Sequence, residues 1–234
     1  MHDPDLGVII VKPNKRARHV IARRKTDHIS LTVPHRMSRQ NILNAIESLK
    51  PQLLKIAPKQ LPAITEDTNL RTFSFSVQIK RFHLTKSYRI TLKNQLLTIF
   101  IPETEDILSP VAQERIRNLI EQALRFEAKR ILPQKTEFYA RKHGLKYQQV
   151  KINKSRTRWG SCSRRKNINF SLYLLLLNEK QIDYVVLHEL AHTVEMNHSP
   201  RFWELLSTLF GEDAKAFSRT MKKIESESYA YFAH

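Results

Sequence analysis

A chain of 234 residues, 41% apolar and 26% charged, is long enough to bury a core and too ordinary in composition for a disordered or fibrous protein. Its single cysteine excludes an internal disulfide framework; with no apolar run near eighteen residues and no signal-type stretch after Met1, a spanning helix is not expected and a cytoplasmic location is. The net charge of +18 is unevenly spread: residues 1–100 hold 18 Lys and Arg against 6 Asp and Glu, while residues 201–234 hold 5 of each.

Residues 7–33 read as three short strands. Val8 to Val11 are apolar, Lys12-Pro13-Asn14-Lys15 signals a turn, and Ile29, Leu31 and Val33 alternate with Ser30 and Thr32 at the period of a half-buried strand. Arg16, Arg18, Arg23, Arg24 and Lys25 decorate this region. Such a basic field attracts nucleic acid, acidic proteins or anionic membrane surfaces, but charge on a sheet edge also blocks unwanted pairing, and that plainer reading is preferred here. Ser38 is placed to cap a helix with Ile42, Leu43, Ile46, Leu49, Leu53 and Leu54 on one side, and Pro51 predicts a kink or a break. Residues 57–69 read as a linker. Phe73, Phe75, Val77 and Ile79 alternate with polar residues and predict a strand with its aromatics on the core side; Tyr88, Ile90 and Leu92 give another, and Lys93-Asn94-Gln95 a turn into Leu96 to Ile101.

Ser109-Pro110 opens a long amphipathic helix carrying Ile116, Leu119, Ile120, Ala123, Leu124, Ala128 and Ile131, which Pro133 should end or kink and Gly144 should stop. Val33-Pro34…Ser38 and Ile101-Pro102…Ser109 form a weak echo of strand, proline, loop, cap and helix, too slight to establish a duplication. From Tyr147 to Leu177 the chain reads as strands, with Gly160 at a bend and a long apolar run over Ile168 to Leu177. Trp159 is read as a packing residue rather than a cleft wall, and Cys162 as a small buried hydrophobe rather than a metal ligand.

Asn178 with Gln181 is a capping-box start, followed by Ile182, Val185, Val186, Leu190, Ala191 and Val194 at roughly helical spacing. On that helix lies His188-Glu189-Leu190-Ala191-His192. Two histidines four apart share a face, so both imidazoles can reach one metal ion, while Glu189 projects partway round and can reach a water there. A catalytic zinc site needs a third protein ligand and an open position. His198 is one candidate, because Ser199-Pro200 reads as the start of a new helix and the chain must turn before it; Glu204, on that next helix, is the rival. Asp183, Glu195 and Glu204 are candidates to hold an imidazole's other nitrogen. Pro200 to Phe210 and Ala214 to Ile224 complete the helices.

Residues 156–203 resemble the YgjP-like metallopeptidase family, a minimal zincin group. The resemblance is carried by Arg158-Trp159-Gly160-Ser161-Cys162-Ser163, Ile168-Asn169-Phe170, Asp183 to His192, and Met196-Asn197-His198-Ser199-Pro200-Arg201-Phe202-Trp203. It implies His188, His192 and His198 as Zn2+ ligands and Glu189 as catalytic base of a peptidase. The third histidine also has the spacing of metzincins, but Glu195 stands where their glycine falls, and Met221 lies in a helical pattern rather than a Met-turn. The expected fold is α+β: a β-rich, basic N-terminal region with one helix over 1–105, then a helix-dominated zincin-like metallopeptidase domain over 106–234. The expected partner is a peptide or protein substrate. The alternative is a nucleic-acid-associated basic protein in which the zinc site is regulatory or structural.

Overall fold

The computed structural model describes residues 1–24, 28–55, 61–83, 87–228 and 230–232. Lys25 of the basic cluster and residues 57–60 of the expected linker lie outside them. The chain forms two compact units, Met1–Leu61 and Pro62–Ala233. Among the described residues no helix is long and apolar enough to cross a membrane.

The first unit contains β1 (His2–Asp3), β2 (Gly7–Asn14), β3 (Ile21–Arg24), β4 (Ile29–Pro34) and α1 (Arg39–Lys55), with the sheet in the order β1-β2-β4-β3. The alternation read in β4 buries Ile29, Leu31 and Val33 in one small core with Ile9 and with Ile46 and Leu53 of α1. Pro51 sits inside α1 without ending it. The carbonyl that loses its partner there belongs to exposed Glu47, where water can satisfy it.

The second unit begins with β5 (Ser76–Phe82), β6 (Arg89–Lys93) and β7 (Leu96–Pro102), ordered β5-β7-β6, followed by the 34-residue α2 (Pro110–His143). A second three-stranded sheet, β8 (Gln149–Asn153), β10 (Asn167–Ser171) and β9 (Gly160–Cys162) in that spatial order, leads through a 3-10 turn at Leu172–Leu176 into α3 (Glu179–Ala191), α4 (Pro200–Phe210) and α5 (Ala214–Ser228). Strands lead and helices follow, an α+β arrangement. The expected division at 105/106 falls inside this unit, between β7 and α2. Leu97, Ile99 and Ile101 of β7 belong to one core with Ile116, Ile120 and Leu124 of α2.

The echo around Pro34 and Pro102 is a repeat of topology. β2 runs parallel to β4 as β5 does to β7, β3 is antiparallel to β4 as β6 is to β7, and a helix follows each set. Adding 68 to each number of the first set yields the pairs of the second: Ile9↔Ile29 becomes Val77↔Leu97, Ile21↔Thr32 becomes Arg89↔Phe100, and Asn14↔Pro34 becomes Phe82↔Pro102. Few side chains coincide between the copies, whereas every pair of the first set has its counterpart in the second.

Two expectations, both of strand boundaries, need correction. The strand predicted from Phe73 starts at Ser76, because Thr72 folds the preceding residues into a turn: its Oγ1 donates to the Phe75 carbonyl (2.8 Å) and accepts from the Phe75 N–H (3.0 Å). Phe75 is still buried. Pro133 lies inside α2 without stopping it, since the carbonyl it cannot serve belongs to exposed Lys129. The helix ends where expected, at Gly144 in a left-handed conformation (φ 65°). The run Ile168 to Leu177 is a strand only to Ser171, whose Oγ accepts from the Tyr173 N–H (3.2 Å) and turns the leucines into a buried 3-10 helix.

Glu121, buried on α2, anchors the β8–β9 connection. It accepts from Arg156 (2.8 Å), Lys154 and the Tyr173 hydroxyl. Burial pushes its carboxyl up, but these partners outweigh it and hold the pKa below the usual range. Its contribution to stability is therefore complete above the ordinary carboxylate range and is lost as pH falls through the folded pKa. Glu121→Ala would leave Arg156 unpaired. Because Arg156 and Lys154 are partly exposed (22% and 44%), we expect a cost of about 2–3 kcal/mol rather than the 3–5 of a fully buried pair. Denaturant unfolding followed by tryptophan fluorescence measures this, since both tryptophans, Trp159 and Trp203, lie in the second unit. The gap from wild type should close in acid; a variant as stable as wild type at neutral pH refutes the assignment.

Candidate active site

The helix that carries the histidines is fixed at its start. Asn178 and Gln181 form the capping box read from sequence, and Lys135 of α2 holds Asp183 (2.7 Å) and Glu179 (2.9 Å) of α3. Asp183 is thus committed to the α2–α3 contact. At the other end His188 lies in the last turn and His192 is the C-cap. Thr193 then tightens the exit, its Oγ1 donating to the Leu190 carbonyl (2.7 Å), and the Ser199 side chain caps α4 by accepting from the Phe202 N–H (3.3 Å).

This return path brings the third imidazole back. The Nε2 atoms of His192 and His198 lie 3.2 and 3.1 Å from Nε2 of His188, and the potential ligand atoms of the three residues lie within 4.8 Å of one another. Nitrogens bound tetrahedrally at about 2.0–2.1 Å from zinc would stand about 3.3 Å apart. The tautomer of His192 agrees with such a site. Nδ1 of His192 faces the Glu195 backbone carbonyl at 3.0 Å, and a carbonyl only accepts, so Nδ1 carries the proton and Nε2 a lone pair. Burial, with the neighbouring His192 and His198, pushes the pKa of His188 down to about 3, and burial lowers that of His192. Three imidazole nitrogens at this spacing are a donor set that fits a divalent cation.

Aromatic rings support the imidazoles. Phe202 stacks on His192 (centroids 4.5 Å apart) and meets His188 and His198 edge-on; Trp203 stacks on His198 (5.6 Å). In the sequence these two residues stand out as the end of a stretch that carries the family resemblance, without a stated role. Their position four and five residues after His198 was the available signal.

Glu189 is buried at 5% exposure, and its Oε2 has no hydrogen-bond partner. Burial pushes its carboxyl up to about 8, with Arg158 pulling the other way. Its side chain lies directly against Gly160 of β9: a Cβ added to that glycine would fall 2.6 Å from Cγ and 2.7 Å from Oε1 of Glu189. Gly160 has no positive φ, so here glycine supplies space rather than conformational freedom.

β9 is one of the two edge strands of its sheet, with β8 at the other edge. Trp159 O and Ser163 N bond toward β10, at 2.8 and 3.0 Å, so by alternation the backbone groups of Gly160 and Cys162 face away from it. Trp159 is buried in the core, in agreement with the packing reading. Cys162 is half-buried, and burial and the nearby Glu189 push its thiol up to about 11. Among the described residues the metal-capable cluster contains neither Cys162 nor Glu204, and Glu204 is exposed on α4. Of the candidates for the outer nitrogen of an imidazole, Glu195 serves His192 through its backbone carbonyl. Met221 is buried in α5.

The model of the YgjP-like metallopeptidase domain matches residues 18–223. The chain belongs to the YgjP-like metallopeptidase family. That match covers the first unit's sheet from β3 onward as well as the histidine cluster, so the resemblance extends well beyond the motif-bearing stretch. Among solved structures, the chain is similar to the metallopeptidase zymogen of Pyrococcus abyssi abylysin, with 27% identity over 41% of this chain and 96% of that one and a TM-score of 0.36. No curated protein sequence matches.

Proposed function

We propose that the chain is a zinc-dependent peptidase in which His188, His192 and His198 hold the metal and Glu189 is the general base. The observation that carries this reading is the convergence of three imidazole Nε2 atoms beside the buried side chain of Glu189. When bound, zinc supplies Lewis-acid charge that polarises a scissile carbonyl and brings the pKa of water to about 7. Glu189 accepts the proton of the attacking water and returns it to the leaving nitrogen; a carboxyl raised toward neutrality suits both transfers. The outward backbone groups of Gly160 and Cys162 bind the substrate as an added strand, which sets the scissile bond alongside Glu189. The Glu195 carbonyl keeps His192 in the ligating tautomer. A closed structural site would use four protein ligands, usually with cysteines, and would have no use for a buried base.

Metal content tests the ligand set. Wild type purified without a metal-affinity step should contain about one zinc per chain, and His198→Ala should lose most of it on dialysis. A His198→Ala protein with undiminished zinc would remove His198 from the site, and wild type that takes up no zinc would remove the site.

A further inference from the structure

We propose that the β9 edge selects acidic peptides, with carboxylate side chains on both sides of the scissile bond. This inference rests on the peptidase reading of the site. Between Glu137 and Glu179 there are ten Lys and Arg and no Asp or Glu. This stretch contains the whole β8-β10-β9 sheet.

Part of that charge is already used inside the fold: Lys154 and Arg156 are paired with Glu121. Four cations at the two ends of β9 are not used in this way. Arg158 lies just before the strand, close enough to act on Glu189, and Arg164, Arg165 and Lys166 form the turn just after it. All four are exposed, and among the described residues none makes an ion pair with a carboxylate. The turn is well tied. Lys166, in a left-handed conformation (φ 57°), donates its N–H to the Ser163 carbonyl (2.7 Å), and the Asn167 N–H donates to the Ser163 hydroxyl (3.2 Å). Three positive charges are thereby held at one end of the edge and one at the other.

Charge on an edge strand often serves only to block pairing. Here the residues that offer the ladder, Gly160-Ser161-Cys162, carry neither charge nor proline, and the cations flank them. The edge can still be paired, and its ends are biased. At about 3.3 Å per residue the strand spans about 10 Å, near the screening length of physiological salt, so each end acts on its own part of a bound peptide. Outward N–H and C=O groups at a period of two fit a polypeptide backbone; a nucleic acid would engage the cations and leave the ladder unused.

The test uses zinc-loaded Glu189→Gln protein, which holds peptide without cutting it, and fluorescein-labelled peptides carrying Glu or Gln at the flanking positions, read by anisotropy. With two or three exposed pairs formed, the Glu peptide should bind about tenfold more tightly. Replacing Arg164, Arg165 and Lys166 together by Gln should remove the preference, while replacing Lys15, Arg16 and Arg18 of the first unit by Gln should preserve it. Equal binding of the two peptides, no measurable binding of the Glu peptide, or equal losses in the two triple variants would overturn the proposal. So would single-stranded oligonucleotide that displaces the Glu peptide and binds more tightly through Arg164, Arg165 and Lys166. Turnover separates this failure from that of the peptidase reading. Wild type that cleaves Gln and Glu peptides alike keeps its activity and loses the preference; wild type that binds the Glu peptide at β9 but cleaves nothing keeps the preference and loses the activity.

Discussion

Glu189→Gln is expected to keep its zinc, keep its fold and lose peptide hydrolysis by about 10²–10⁴-fold, the usual contribution of a positioned general acid–base group. The change is nearly isosteric, which matters because the side chain is packed against Gly160 with no room to spare. An amide cannot take up the proton of the attacking water, so the loss should fall on kcat. Metal content should be unchanged, because the three converging nitrogens belong to other residues. Elemental analysis and single-turnover cleavage on the same preparation make the comparison. Turnover within a few-fold of wild type would dismiss Glu189 as the base; loss of zinc together with activity would show that the carboxylate holds the metal site instead.

The site was legible in the sequence to the extent that its geometry is local. His188 and His192 share a face because helices repeat every 3.6 residues, and the capping box at Asn178 fixed where that helix begins. The turn back to His198 could be inferred from Ser199-Pro200. What supports it could not, since the Thr193 bond to Leu190 and the Glu195 carbonyl under His192 depend on backbone directions within the turn. Strand boundaries went wrong where side chains intercepted the backbone: Thr72 and Ser171 each satisfied groups that a continuous ladder would have used. Of the two outcomes open at Pro51 and Pro133, a break does not occur, because the carbonyls they free belong to exposed residues. The repeated topology was visible only as two prolines after apolar strands. Its substance is pairing register, which the two copies reach with largely different side chains.

Gly160, which reads from sequence as a bend, lies against the Glu189 side chain in the structure. Gly160→Ala should retain zinc and reduce turnover by about 10²-fold, the scale of an ångström's misplacement of a catalytic group. The new methyl would lie 2.6 Å from Cγ of Glu189, well inside contact distance. Glu189 is buried, so its side chain has little freedom to swing aside, and either the carboxylate or the β9 edge must move. Both movements would separate Glu189 from a peptide paired along that edge. The double variant Gly160→Ala/Glu189→Gln distinguishes this role from general damage. If Gly160 acts through Glu189, the double variant turns over no more slowly than Glu189→Gln alone, whereas independent damage to the sheet would multiply the two losses. Gly160→Ala with wild-type turnover would show that β9 yields without cost, and would remove the close approach of glycine and glutamate from any account of how the base is held.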